Sequence, residues 1–278
     1  MRFSPSVRDF VTLRLALAAF AAASMIVFAG SAPAADCGDD VDGERIGCAC
    51  GDNVVSDTTL RPGDPVVSAP CSGDALILFP PSDSKGITLN LGGLPLVGTG
   101  NGVGIKVLRG GKLGSAIVGG GEDHGARAEI LRFGTGIKAS GRTLLTEISN
   151  IDVHDNHRDG LQIRTSGVVV RDVTSHANGR DGVVVSGHGN EVSGVVSKGN
   201  LRDGLQVRGT GAAVRAETSG NRRNGTTVGG RGNELAGVES SGNGGVGLRA
   251  NGADHELSGV TSSGNASGEV SGRAGAAK

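Results

Sequence analysis

The sequence has no tryptophan or tyrosine and only six phenylalanines in 278 residues. Sugar-binding sites commonly stack rings on Trp or Tyr, so this shortage weighs against a ring-stacking carbohydrate cleft. A basic excess is also missing. The net charge of −1 leaves no electrostatic footprint for nucleic acid. No segment after residue 34 is apolar for long enough to span a bilayer, and no cysteine follows Cys71. Glycine, by contrast, supplies 51 residues. A glycine-rich polar chain is either disordered or a repeat fold with many tight turns, and periodicity separates the two.

The N-terminus reads as an address. Arg2, Arg8 and Arg14 form a positive region, Leu15 to Gly30 is apolar, and Ala32-Pro33-Ala34 is a small-residue cleavage site. Residues 1–34 are therefore expected to be a secretory signal peptide. The apolar run of about 16 residues falls short of the roughly 20 a spanning helix needs. Asp36 before Cys37 argues against a lipid-anchored cysteine. The expected destination is secreted, periplasmic or cell-surface, with no membrane attachment after cleavage. The rest suits one elongated domain, with a cap at 35–74 and a repeat at 75–278. Cys37, Cys48, Cys50 and Cys71 all lie in the cap segment. An even count in an exported chain favours disulfides, and Cys48-x-Cys50 lacks the usual C-x2-C zinc spacing. Four cysteines allow three connectivities, of which Cys37–Cys48 with Cys50–Cys71 is favoured.

The repeat is explicit. Asn156, Asn178, Asn200, Asn221, Asn243 and Asn265 follow one another at 22, 22, 21, 22 and 22 residues. Five residues after each of the first five come Leu161, Val183, Leu205, Thr226 and Leu248, and seven after come Ile163, Val185, Val207, Val228 and Ala250. A gap of two places both side chains on one face of a strand. A second apolar pair precedes the next asparagine, as in Val170/Val173 and Val192/Val195. The short coil has its deletion at the bend between Val214 and Ala216, because any other register would bury Glu217. Such coils stack with parallel pairing about 4.8 Å apart, and the asparagine amides bond from coil to coil. Asparagine also tolerates the left-handed backbone of a sharp bend. Asp-Gly at 159–160, 181–182 and 203–204 and Asn-Gly at 224–225 read as turn chemistry. Upstream, Gly86 to Leu91, Gly104 to Val107 and Gly136 to Ala139 read as the strand after the turn, with Gly119 to Arg127 as a loop.

The unit N-x-x-D-G-[LV]-x-[VI] and its asparagine column resemble right-handed parallel β-helix proteins of the pectin-lyase-like superfamily over residues 75–275. That resemblance implies an all-β solenoid of ~22-residue coils and its handedness. Cys50-Gly51-Asp52 and Cys71 to Leu78 resemble the N-terminal edge of exported, uncharacterised bacterial members. The superfamily holds polysaccharide lyases, glycoside hydrolases, uronate epimerases and members with no known catalysis, so function must be argued from the site.

Four places invite that argument. Asp152, His154 and Asp155 are catalytic candidates, since carboxylates and imidazoles this dense suit Ca²⁺ binding and proton transfer. Asp152-Val153-His154-Asp155 resembles the D-P-H-D motif of mannuronan epimerases, with Val153 in place of proline. Gly187-His188-Gly189 resembles a G-H-G element of polygalacturonases, without the aspartate pair and R-I-K element that accompany it. Arg158, Arg180, Arg202 and Arg223 form a column beside Asp159, Asp181 and Asp203, read as exposed charges that compensate one another. With Gln162, Arg164, Gln206 and Arg208 they form a candidate binding ribbon, because Arg grips carboxylates in two-pronged contacts. Glu122, Asp123, His124 and Arg127 interrupt the repeat. The expected role is structural or adhesive, with anionic polysaccharide as partner and no required cofactor. The alternative is a Ca²⁺-assisted polysaccharide lyase or uronate epimerase. The metal ligands, substrate and oligomeric state stay open.

Overall fold

The computed structural model describes residues 34–82, 84–108, 112–120, 127–141 and 144–272. The leader expected at 1–34 lies outside them except for Ala34, as do Glu122, Asp123 and His124. No helix among the described residues is long and apolar enough to cross a membrane.

The unit from Ala34 onward is a solenoid of two stacked sheets, one of 12 strands and one of 13. Every coil gives a strand to each sheet, and equivalent strands pair in parallel. In the 12-stranded sheet, Ile105, Ile137, Leu161, Val183, Leu205, Thr226, Leu248 and Val270 stack in one column. In the 13-stranded sheet, Ile117, Ile148, Val170, Val192, Val214, Leu235 and Leu257 do the same. Alternate side chains of both sheets point inward, and almost all of these apolar residues are fully buried. The short coil keeps register as expected. Val192 pairs with Val214 and Val195 with Ala216, the shift falls between them, and Glu217 stays exposed.

One upstream expectation is corrected. Thr88–Asn90 pairs with Ser115–Val118 in the 13-stranded sheet, so Gly86 to Leu91 is not the post-turn strand; Leu76–Leu78 takes that place beside Val103–Val107. Gly104 to Val107 and Gly136 to Ala139 do occupy it.

Parallel pairing begins ahead of residue 75, where Asp36–Val41 pairs with Asp52–Val54 and that strand with Leu76–Leu78. Glu44–Ile46 folds back antiparallel on Asp36–Val41 and ends the sheet. This hairpin blunts an edge that would otherwise template another chain. Disulfides Cys37–Cys48 and Cys50–Cys71, with Cα separations of 5.1 and 5.5 Å, tie it to the stack. Arg45 clamps the same region, bonding Asp39 at 3.0 Å and the buried Asp64 at 2.8 Å.

The asparagine column is continuous from Asn156 to Asn265. Each Nδ2 donates to Oδ1 of the next asparagine at 2.8–3.0 Å. That Oδ1 also accepts the backbone N–H of the asparagine above. Ser175, Ser197, Ser240 and Ser262, each three residues earlier, accept from Nδ2 as well. The ladder begins under Phe133, whose N–H donates to Asn156 Oδ1 at 2.9 Å. It ends on Glu269, which accepts from Asn265 Nδ2 at 2.7 Å. Bonds from Asn265 and Ser262 hold the Glu269 carboxyl below its ordinary pKa.

The bends depart from the sequence reading in two ways. The left-handed residue precedes each ladder asparagine: Asp155 and Ala177, then Gly199, Gly220, Gly242 and Gly264, with φ from 52 to 66°. The glycine of each Asp-Gly or Asn-Gly pair has no left-handed φ. It is required for space: a Cβ on Gly182 would lie 2.1 Å from Ser197 Oγ and 2.7 Å from the Gly204 carbonyl.

Ala177 is the poorest fit to this rule, with φ 52°. A left-handed L-residue costs roughly 1–2 kcal/mol, and the extra freedom of unfolded glycine takes back roughly 0.4–1 kcal/mol. Ala177→Gly is therefore expected to stabilise by about 0.5 kcal/mol. A urea midpoint that falls would show that the bend carries no strain at this residue.

Candidate functional site

The strand Leu145–His154 sends Ile151 and Val153 inward and Asp152 and His154 outward. Its neighbour Val169–His176 places Thr174 beside Asp152 and His176 beside His154. The two imidazoles stack with centroids 4.6 Å apart. His154 Nδ1 lies 2.9 Å from Asp155 Oδ2. His176 Nε2 lies 3.3 Å from Asp152 Oδ1, off the line a hydrogen bond needs, so that buried oxygen has no hydrogen-bond partner. Arg127 donates to Thr174 Oγ1 at the edge of this patch. His176 was not singled out from the sequence; its signal was that it lies 22 residues after His154, one coil on. Asp155 is explained by the repeat, since it fills the left-handed corner.

No hydrogen bond or ion pair among the described residues joins this patch to Arg158 or Arg180. Those residues follow the asparagine corner and lead into the other sheet. Nor do three His, Cys, Asp or Glu side chains there converge to hold a metal ion.

The aspartate column is not exposed, which corrects the reading of two compensating solvated columns. Asp159, Asp181 and Asp203 are 3–5% exposed, and Asn224 continues them at 8%. Each accepts the backbone N–H of the next coil: Asp159 from Asp181 at 3.2 Å, Asp181 from Asp203 at 3.0 Å, Asp203 from Asn224 at 3.1 Å. Gln162 and Gln206 spend their amides on Asp159 and Asp203. Gln206 is buried and falls out of the ribbon. The second oxygen of Asp181 has no such amide, because Val184 stands where Gln162 and Gln206 stand.

The arginines remain outside. Arg158, Arg180 and Arg223 are exposed and Arg202 is half-buried, one per coil, joined by backbone bonds along the corner. Arg202 and Arg223 approach Asp181 and Asp203 at 3.8 Å. Arg158 also lines an open cleft of about 350 Å³ with Lys138 and His157. Arg164 lines another of about 500 Å³ with Ser166, Ser186 and His188. Arg208 is exposed and donates to Gln206 Oε1 at 2.7 Å. His188 ends the strand Val183–His188 and is exposed, its Nδ1 2.7 Å from Thr210 Oγ1.

Burial, and secondarily the neighbouring Asp159 and Asp203 carboxylates, push Asp181 above its ordinary pKa, against the Asp203 N–H and Arg202. A raised carboxyl contributes stability below its unfolded pKa and loses it as pH rises through the folded value. Asp181→Asn keeps an acceptor for the Asp203 N–H, as Asn224 does for the Val246 N–H two column places later. It is expected to gain about 1 kcal/mol at pH 7, a gain that shrinks as pH falls below the carboxylate range. Thermal melts at both pH values check this; a gain independent of pH would contradict it.

The register defines the class: a parallel β-helix with an internal asparagine ladder. No protein-family model matches the chain, and no curated protein matches it. Among solved structures, the chain is similar to the mannuronan C-5 epimerase AlgE4 A-module of Azotobacter vinelandii, with 19% identity and a TM-score of 0.48, covering 77% of this chain and 70% of that one. That likeness carries no argument about chemistry, and the fold stands on the strand register.

Proposed function

We propose that this protein is an exported structural or adhesive β-helix that binds an anionic polysaccharide along its arginine corner. One observation carries the reading. The aspartates beside the arginines are turned inward and occupied by backbone N–H groups, so the guanidinium column is the outward charge. One arginine per coil recurs about every 4.8 Å, close to the length of one sugar unit in an extended chain. A polyuronate lying along the axis meets a cation at each step, and guanidinium suits its carboxylates. Retention on immobilised pectate and alginate is expected, weakening with salt because exposed charges are screened. Arg180→Glu with Arg202→Glu should lower retention at least tenfold, at about 1.4 kcal/mol per factor of ten. Unchanged retention would refute the arginine corner as the binding surface.

The lyase or epimerase alternative has less support: among the described residues no three His, Cys, Asp or Glu side chains cluster as a metal site would, and its acid–base candidates are not joined to the arginines. Unsaturated ends, or epimerised residues seen by NMR, after incubation with uronate polymers and Ca²⁺ would reverse this preference.

A further inference from the structure

From residue 180 onward the outward face of the 13-stranded sheet is mainly acidic, while the asparagine corner and the 12-stranded sheet beside it are mainly basic. The outward positions of the 13-stranded sheet hold Glu191, Glu217, Glu234, Glu239 and Glu256, all exposed. They stack on themselves: Glu217 pairs in register with Glu239 and Glu234 with Glu256. The basic residues described on this stretch are Lys198 and Arg215. The asparagine corner and the outward face of the 12-stranded sheet hold Arg180, Arg202, Arg208, Arg222, Arg223 and Arg249, with Arg202 half-buried and the others exposed. Arg231, on the same side, is already paired with Asp254 at 3.4 Å.

Like charges directly opposite on neighbouring strands destabilise a sheet. Here glutamates face glutamates in that register, and Arg180, Arg202 and Arg223 follow one another coil by coil along the corner. A partner that supplies the opposite sign at the same spacing relieves both. Another copy of this chain has that property: its glutamates and arginines repeat along one axis with one coil rise, about 4.8 Å.

We infer that the protein associates with itself side by side, the glutamate face of one copy docking on the arginine face of the next. The contact is heterologous, since different surfaces meet, and each copy keeps one free face of each sign. Such contacts propagate into rows unless the rotation closes a ring. Arginine and glutamate heads are solvated before contact, so the association is salt-sensitive. This inference does not depend on polysaccharide binding, although both use the arginines.

Sedimentation velocity at about 20 mM and about 500 mM NaCl tests it. The wild type should gain mass with concentration at low salt and run as monomer at high salt. A variant with Glu217→Gln, Glu234→Gln, Glu239→Gln and Glu256→Gln should stay monomeric at low salt, as should one with Arg180→Gln, Arg202→Gln, Arg222→Gln and Arg223→Gln. Circular dichroism melts show that each is folded. Mixed together, the two variants should form dimers and nothing larger, because each retains one face. A wild type that stays monomeric at low salt overturns the inference, as does association that survives the glutamate substitutions or a mixture that stays monomeric. The glutamate variant should bind pectate as well as the wild type. If it does while the wild type is monomeric, self-association fails and the polysaccharide reading stands.

Discussion

Asn200→Ala is expected to cost about 3–5 kcal/mol, among the largest effects of any single side-chain truncation in this chain. Asn200 is 1% exposed. Its Oδ1 accepts both the backbone N–H and Nδ2 of Asn178. Its Nδ2 reaches Ser175 O, Ser197 Oγ and Asn221 Oδ1. Truncation leaves the Asn178 N–H without an acceptor inside the stack, and a buried unsatisfied group costs roughly 1–3 kcal/mol. It also leaves a cavity lined by polar groups. In a stack stabilised by nearest-neighbour contacts, a break in the middle weakens two interfaces together. Asn265→Ala, at the end of the ladder where Glu269 is exposed to water, should lose less than half as much. Urea midpoints of the two variants decide the matter; equal losses would mean that the ladder does not act as a cooperative column.

What the sequence revealed depended on whether one coil repeated the next. The asparagine ladder, the apolar pairs at five and seven residues beyond it, and the deletion between Val214 and Ala216 recur in register and were legible. Gly86 to Leu91 was misplaced because both sheets use the same apolar alternation, and no ladder asparagine upstream fixes which is which. A second internal column was missed for a related reason. Val168, Asn190, Ala212, Asn233 and His255 stack at the opposite bend, where Asn190 and Asn233 accept N–H groups of the alternate coils and His255 Nδ1 accepts from Asn233. Asparagine fills it only in alternate coils, at Asn190 and Asn233, and His255 follows in the next, so no asparagine period of one coil announces it. The candidate site was harder to read. A sequence shows aspartate beside arginine, but not that the aspartate turns into the bend while the arginine turns out. Asn224 was the available clue: an uncharged residue at the fourth place of the column marks a hydrogen-bond acceptor rather than a charge partner.

That distinction predicts opposite signs for one substitution in neighbouring coils. Asp203 uses both oxygens: Oδ1 accepts Asn224 N–H and Nδ2, and Oδ2 accepts Gln206 Nε2 and Thr227 Oγ1. Asp203→Ala removes the acceptor for all four groups, two of them on the buried Asn224, and leaves Arg223 without its carboxylate. The expected loss is about 3 kcal/mol. Asp203→Asn keeps one acceptor oxygen but turns an NH₂ toward Gln206 Nε2. Gln206 cannot simply flip to meet it, because its Oε1 is held by Arg208. An intermediate loss of about 1 kcal/mol is expected. At Asp181 the apolar Val184 stands in the place of that glutamine, so the same Asp-to-Asn change removes a poorly solvated charge at little hydrogen-bond cost and stabilises. Matched denaturant titrations of Asp181→Asn and Asp203→Asn at pH 7 separate the two accounts. If the column acted through its charge against the arginines, both substitutions would destabilise and both losses would fade in high salt. If it acts as an acceptor ladder, the two shift the midpoint in opposite directions and salt leaves that order unchanged.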